Sequence, residues 1–177
     1  ATPSYLLHLH QAIEESEYDR KDFKWRLAVT GAEPHSEELR CKIQDKLGIE
    51  VYNCYGMSEL NGPGVAFECI FRKGMHIWED RYIIEIIDPV TLEPVPEGEV
   101  GELAVKGPGV MSCYYRDELA TKEVLADGWL FTGDMAQEDE DGFILLVDRK
   151  KDVIISGGEN LYPVQIEDFI RTNDKVH

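Results

Sequence analysis

Basic residues are scarce in this sequence. Its 177 residues hold 18 Lys and Arg against 35 Asp and Glu, a formal net charge of −17. Nucleic acid and anionic membrane are both gripped by clustered Lys and Arg, so neither is expected as the main partner. An anionic small ligand is not excluded, because charges ~20 Å apart in water interact by only about 0.2 kcal/mol before screening; a local pocket decides. Cysteine pairing is also lacking: Cys41, Cys54, Cys69 and Cys113 include no CxxC spacing. That pattern fits thiols in a reducing cytoplasmic compartment better than a disulfide framework. A zinc site drawn from Cys54, Cys69 and His76 would match no standard ligand spacing. No apolar run approaches the ~18 residues of a membrane span, and no basic-then-apolar leader opens the chain. Low complexity and internal repeats are absent as well. With 43% hydrophobic and 10% aromatic residues, the composition is that of a globular chain, able to bury about 70% of its unfolded surface if it forms one unit.

What is present has the texture of an α/β protein that turns β-rich. Thr2-Pro3 suits a helix entry, and Leu6, Leu7, Leu9 and Ile13 supply an apolar stripe to about Ser16. A polar connection follows, then a buried strand over Trp25–Thr30 and a turn, GAEP, at 31–34. Ser36 opens a second helix, with Leu39, Ile43 and Leu47 at helical spacing and Gly48 as its stop. Ile49–Tyr55 makes another strand, so residues 25–55 form a βαβ unit with parallel strands. Ligands bind beyond the carboxyl ends of such strands, which puts GAEP and YGMSE (55–59) on one rim. After Gly64 short strands are expected over 75–78, 82–87, 102–106, 130–131 and 143–147, the last two flanking an acidic hairpin that ends in Asp141-Gly142. Another strand, Val153–Ser156, precedes Gly157-Gly158 and a helix led by Pro163. The expected organisation is the end of a parallel α/β sheet (1–66), a β-rich subdomain (67–150) and the truncated start of a small α+β C-terminal domain (151–177).

Four segments carry candidate chemistry. In GAEP and NCYGMSE (53–59), Gly31 and Gly56 let backbone approach a planar ligand, and Tyr55 can stack on a base. Ser58 can donate to a phosphate oxygen, and Glu59 can ligate a hard cation. In GWLFTGD (128–134), Asp134 is expected at a turn, where it either accepts from vicinal hydroxyls or simply makes the turn. In DRKKDVIISGGEN (148–160), Arg149 offers a rigid fork of donors and Lys151 a flexible point charge; a charged strand edge would look the same.

Their order is more specific than any one. YGMSE, GELxxxGxxxxxxYY (101–115), WLFTGD and DRKKDxIxxxGEN together resemble the adenylate-forming superfamily, in particular acyl- and aryl-CoA ligases. The first half, with ATPSY (1–5), GAEP, GPGVAFEC (62–69) and HIWED (76–80), looks most like phenylacetate-CoA ligases; the second half looks more like general acyl-CoA synthetases. The resemblance implies an enzyme that activates a carboxylic acid with magnesium-ATP as acyl-adenylate and passes the acyl group to coenzyme A. Gly31, Ala32 and Glu33 would border adenine, and Tyr55 would stack on it. Ser58 would contact the α-phosphate and Glu59 would bind magnesium. Asp134 would take the ribose hydroxyls with Arg149 assisting. Lys151 would be the pivot of domain rotation, and Gly157 and Gly158 would border the pantetheine path. Tyr5 and Gly62–Val65 are weaker candidates for the acyl pocket.

The resemblance also sets what these residues do not contain. The family's Ser/Thr/Gly-rich phosphate loop with its lysine, and its C-terminal catalytic lysine, have no counterpart between 1 and 177, so the chain by itself is expected to be an inactive internal fragment. Residues 152–177 are expected to be mobile or held by a partner copy, being too few for their own core. An unpaired sheet edge would admit a homodimer. Two other readings share these motifs: a non-catalytic nucleotide- or protein-binding module, and an adenylation domain loading a carrier-protein thiol.

Overall fold

Thr2 starts the fold by local chemistry. In the computed structural model, which describes residues 1–33, 36–157 and 159–171, Thr2 is extended and its hydroxyl accepts the Tyr5 N–H at 3.3 Å. Pro3 then enters α1 (Pro3–Glu14) without wasting a donor. The Glu33 carboxylate reinforces this end, accepting the Ser4 N–H at 3.0 Å and the Ser4 hydroxyl at 2.7 Å. These two bonds, the hydroxyl's first, hold the Glu33 carboxyl below its ordinary value.

Strand β1 (Leu27–Thr30), helix α2 (Glu37–Leu47) and strand β2 (Glu50–Met57) form the expected βαβ unit, with β1 and β2 parallel from Leu27↔Glu50 to Thr30↔Asn53. Ser36 accepts the Leu39 N–H at 3.1 Å, and Gly48 closes α2 at φ +60°. Leu6, Ile13, Ile43, Leu47, Ile49 and Val51 make the core of this part. β1 is less buried than its apolar sequence suggests. Its Thr30 is buried, whereas Leu27 and Val29 alternate onto the exposed face. Two further strands, β3 (Gly62–Glu68) and β4 (Met75–Ile77), add antiparallel to β2, giving the order β1-β2-β3-β4. β3 was not legible as a strand because Gly62-Pro63-Gly64 reads as a turn.

One ion pair ties α2 to this sheet. Arg40 donates to Glu68 through both terminal nitrogens, at 2.7 and 2.6 Å, and also to the Val51 carbonyl at 3.2 Å. Both side chains are 5% exposed. The connection from Glu15 to Arg26 is organised by Arg20, which donates to the Leu47, Phe23 and Trp25 carbonyls and lies over the Trp25 ring.

The chain divides into two compact units, Ala1–Arg81 and Tyr82–His177. In the second, β5 (Ile83–Ile87) and β6 (Val100–Lys106) are joined by β7 (Leu125–Ala126) and β8 (Trp129–Glu138) in the order β5-β6-β8-β7. A further strand, β9 (Ile144–Arg149), pairs with β8 through the acidic hairpin, where Asp139 accepts the Asp141 and Phe143 N–H groups at 3.0 and 2.8 Å. A short helix, α3 (Glu118–Val124), precedes β7 and is capped by Asp117. Beyond a 3₁₀ turn at Lys150–Asp152 come the hairpin β10 (Ile154–Ser156) and β11 (Glu159–Leu161), then α4 (Pro163–Arg171). Asp148, at the end of β9, accepts the Val164 N–H at 3.0 Å and so caps α4 from outside. Among the described residues no helix is long and apolar enough to cross a membrane.

Two outcomes are expected. Removing one partner of the buried pair, Arg40→Met or Glu68→Gln, breaks its two charge-assisted bonds, although Arg40 keeps Glu37 at 2.9 Å and Glu68 keeps the Asn53 N–H at 2.5 Å. Each variant should cost about 1–3 kcal/mol in urea unfolding, and the double replacement Arg40→Met with Glu68→Gln should cost less than the sum of the two. Glu33 contributes stability that is whole at neutral pH and is lost as pH falls through its lowered folded-state value. Urea titrations of Glu33→Gln should show lower stability at neutral pH and a shallower loss on acidification.

Candidate functional site

The first unit builds a rim from the ends of β1 and β2. Gly31 follows β1, and a Cβ there would lie 2.6 Å from the Cys54 carbonyl oxygen and 2.9 Å from its Sγ. Only glycine lets this turn lie flat against β2. Ala32 follows in the left-handed region at φ 65°. Glu33's carboxylate is engaged by Ser4. Pro34 lies outside the described residues.

On β2 a bulge falls between Tyr55 and Gly56. A Cβ on Gly56 would meet the Gly62 carbonyl oxygen at 2.4 Å, so the β2–β3 connection closes this tightly only over glycine. Met57 ends β2, and Ser58–Leu60 form a 3₁₀ turn whose Leu60 is 1% exposed. With Leu60 sunk in the core, Ser58 is left exposed and Glu59 half-buried. Tyr55 is half-buried, and Tyr5 on α1 is 58% exposed. Val65 is fully buried, which makes its side chain part of the core rather than of a pocket wall.

The second unit brings Asp134 and Arg149 together. Sequence reasoning expected Asp134 at a turn; it stands instead within the long strand β8, and the physical reason is a bulge. Between the pairs Glu102↔Met135 and Ala104↔Phe131, β8 places Thr132, Gly133 and Asp134 against the single residue Leu103 of β6. The extra length is pinned at three points. The Thr132 hydroxyl donates to the Leu103 carbonyl at 2.8 Å, the Asp134 N–H donates to the Thr132 Oγ1 at 3.1 Å, and the Gly133 N–H donates to Glu102 Oε1 at 3.0 Å. Gly133 has φ 72°, a conformation glycine adopts without strain. On the other edge Asp134 faces Arg149 in register, and Arg149 Nη1 lies 2.9 Å from Asp134 Oδ1. The carboxylate side chain is 9% exposed and the guanidinium 53%. A held carboxylate beside a fork of donors suits a pair of vicinal hydroxyls, which both donate and accept.

Lys151 is exposed on the 3₁₀ turn after β9, and Gly157 turns between β10 and β11 at φ 63°. Gly158 lies outside the described residues. Sequence reasoning gave no role to Glu102, Asp148 or Lys150. The signal was present at Glu102, a carboxylate in the middle of the apolar run VGELAV; at 3% exposure it must find donors.

Among the described residues no three His, Cys, Asp or Glu side chains come together to hold a metal ion. Cys54 and His76 are separated in register by Phe67 on β3, which keeps a three-ligand zinc set from forming with Cys69. Burial pushes the Cys54 thiol up, whereas a hydrogen bond with His76, aided by the Phe71 and Arg72 backbone, lowers that of Cys69.

Known proteins share both sequence and fold with this chain. A family model described as "AMP-binding enzyme" matches residues 1–115. The chain is 42% identical over 173 residues to a phenylacetate-coenzyme A ligase of Pseudomonas putida, covering 96% of this chain and 37% of the relative. It is 36% identical over 165 residues to a 2-succinylbenzoate–CoA ligase of Bacillus cereus, covering 82% and 33%. The o-succinylbenzoate CoA synthetase of Bacillus subtilis, solved with its acyl-adenylate intermediate, superposes with TM-score 0.73 at 30% identity over 99% of this chain and 36% of the other. ATP-bound MatB of Rhodopseudomonas palustris gives 0.75 at 28%, covering 100% and 35%. The chain thus spans about a third of the length of these two curated relatives. Its motif order, its βαβ rim and the family match over the first 115 residues agree: the chain belongs to the AMP-binding enzyme family.

Proposed function

We propose that this chain is the nucleoside-holding and pivot-bearing part of an AMP-forming acyl- or aryl-CoA ligase. The observation that carries the reading is the Asp134–Arg149 pair, set by a pinned bulge at 2.9 Å across two strands. In the reading, the backbone of Gly31, Ala32 and Glu33 borders adenine and the Tyr55 ring stacks on it. Asp134 accepts from the ribose hydroxyls, and Arg149 donates to their oxygens. Ser58 donates to an α-phosphate oxygen. Glu59 fits the pattern of magnesium sites, in which one or two carboxylates complement the phosphates of the substrate; the ion there would offset phosphate charge.

The chemistry is an exchange of leaving groups. A carboxylate oxygen attacks the α-phosphorus, the bond to pyrophosphate breaks, and an acyl-adenylate forms. The coenzyme A thiol, its proton lost to solvent, then attacks the acyl carbon and AMP leaves. Gly157 and Gly158 would border the incoming pantetheine after rotation about Lys151. Holding the nucleotide fixed lowers the cost of both steps by orientation. An aryl carboxylic acid is the substrate class supported by relatives that are phenylacetate- and 2-succinylbenzoate-CoA ligases.

Calorimetric titration of the chain with AMP should show binding. Asp134→Asn should weaken AMP at least tenfold, about 1.4 kcal/mol, and leave 2′,3′-dideoxy-AMP unchanged; equal losses for both nucleotides would remove the ribose role. Arg149, Lys150 and Lys151 are the clustered cations near this site, with no lysine-bearing phosphate loop in the 177 residues. ATP–pyrophosphate exchange with a panel of aryl acids should accordingly be undetectable for this chain alone, and clear turnover would contradict that expectation.

A further inference from the structure

Glu102 is a buried carboxylate of the second unit that the proposed mechanism leaves unused. It stands in the middle of β6 with its side chain 4% exposed, and its two oxygens go to different places. Oε1 accepts the Gly133 N–H at 3.0 Å, at the apex of the bulge that presents Asp134. Oε2 accepts Lys150 Nζ at 2.7 Å. Lys150 lies immediately before Lys151 and opens the 3₁₀ turn on which Lys151 stands. Among the described residues Lys150 is the cation paired with Glu102. An unpaired carboxylate at that depth is strongly unfavourable, so the lysine is tied to the strand by the carboxylate's need for a partner.

From this we infer that Glu102 and Lys150 are positioning residues that join the ribose-binding bulge to the pivot turn, so that the site holding the nucleotide and the base of the pivot move as one rigid piece. The inference rests on the reading of Asp134 and Arg149 as the ribose site and of Lys151 as the pivot. Its geometry is asymmetric. Glu102, Gly133 and Lys150 all precede Lys151, so rotation about Lys151 leaves their bonds intact. The Asp148–Val164 bond spans Lys151 and must open. A pivot needs one side held, and the buried pair supplies it.

The two oxygens can be separated experimentally. Lys150→Met leaves the buried Glu102 carboxyl without its cation, which should disturb both ends: AMP affinity falls about tenfold, and amide exchange of residues 151–154 speeds at least tenfold. Glu102→Gln with Lys150→Met removes the stranded charge, while the carbonyl oxygen of the introduced amide can still accept the Gly133 N–H. AMP affinity should then return towards the starting value while exchange at 151–154 stays fast. Lys150→Arg should restore both. Unchanged exchange at 151–154 in Lys150→Met overturns the inference. So does a double variant that recovers both properties or neither. If Lys150→Met does not fold, the charge-free double variant decides by the same split. If the unsubstituted chain binds no AMP, the ribose reading fails separately, and the exchange measurements still test the link between β6 and the pivot turn.

Discussion

Three residues of β8 opposed to one of β6 is the constraint from which the second half of the molecule follows. Extra length in one strand must buckle, and unpaired backbone groups at the buckle must find partners in a nearly dry place. Thr132 and Glu102 meet that need. Once they do, Asp134 has little freedom left: its N–H is claimed by Thr132, and its carboxylate is brought against Arg149 of the neighbouring strand. The carboxylate is thereby placed by the backbone hydrogen bonds of the bulge and by its partner on the next strand.

The first unit solves a different problem, which is to bring backbone close to backbone. Gly31 against Cys54 and Gly56 against Gly62 are both approaches that any side chain would block. The stability for such tight turns comes from elsewhere in the unit, from the core shared by α1, α2 and β2. Glu33 shows how the two needs meet in one residue. Its backbone belongs to the rim, while its carboxylate fastens α1.

Much of this was legible from residue types alone. The caps at Thr2 and Ser36, the stop at Gly48 and the parallel βαβ pairing follow from local chemistry and periodicity, and each stands where it was expected. The hairpin at Asp141-Gly142 does too. What was not legible depends on partners distant in sequence. Thr132-Gly133-Asp134 reads as a turn until β6 and β9 are seen on either side of it. Gly62-Pro63-Gly64 reads as a break until β2 offers its edge. Arg20, which looked like one charge in a polar connection, gathers carbonyls from Phe23, Trp25 and Leu47. No periodicity announces such a contact, because it is made by one long side chain and not by a repeating face.

The capping of α4 by Asp148 has a consequence for energetics. Under the proposed rotation about Lys151, a helix that borrows its cap from the strand before that residue keeps the cap in one arrangement only. Caps of this kind are worth about 1 kcal/mol, which corresponds to roughly a fivefold preference between two arrangements. Under the proposed rotation such a preference would be large enough to set a resting arrangement, yet small enough for a ligand of modest affinity to reverse it.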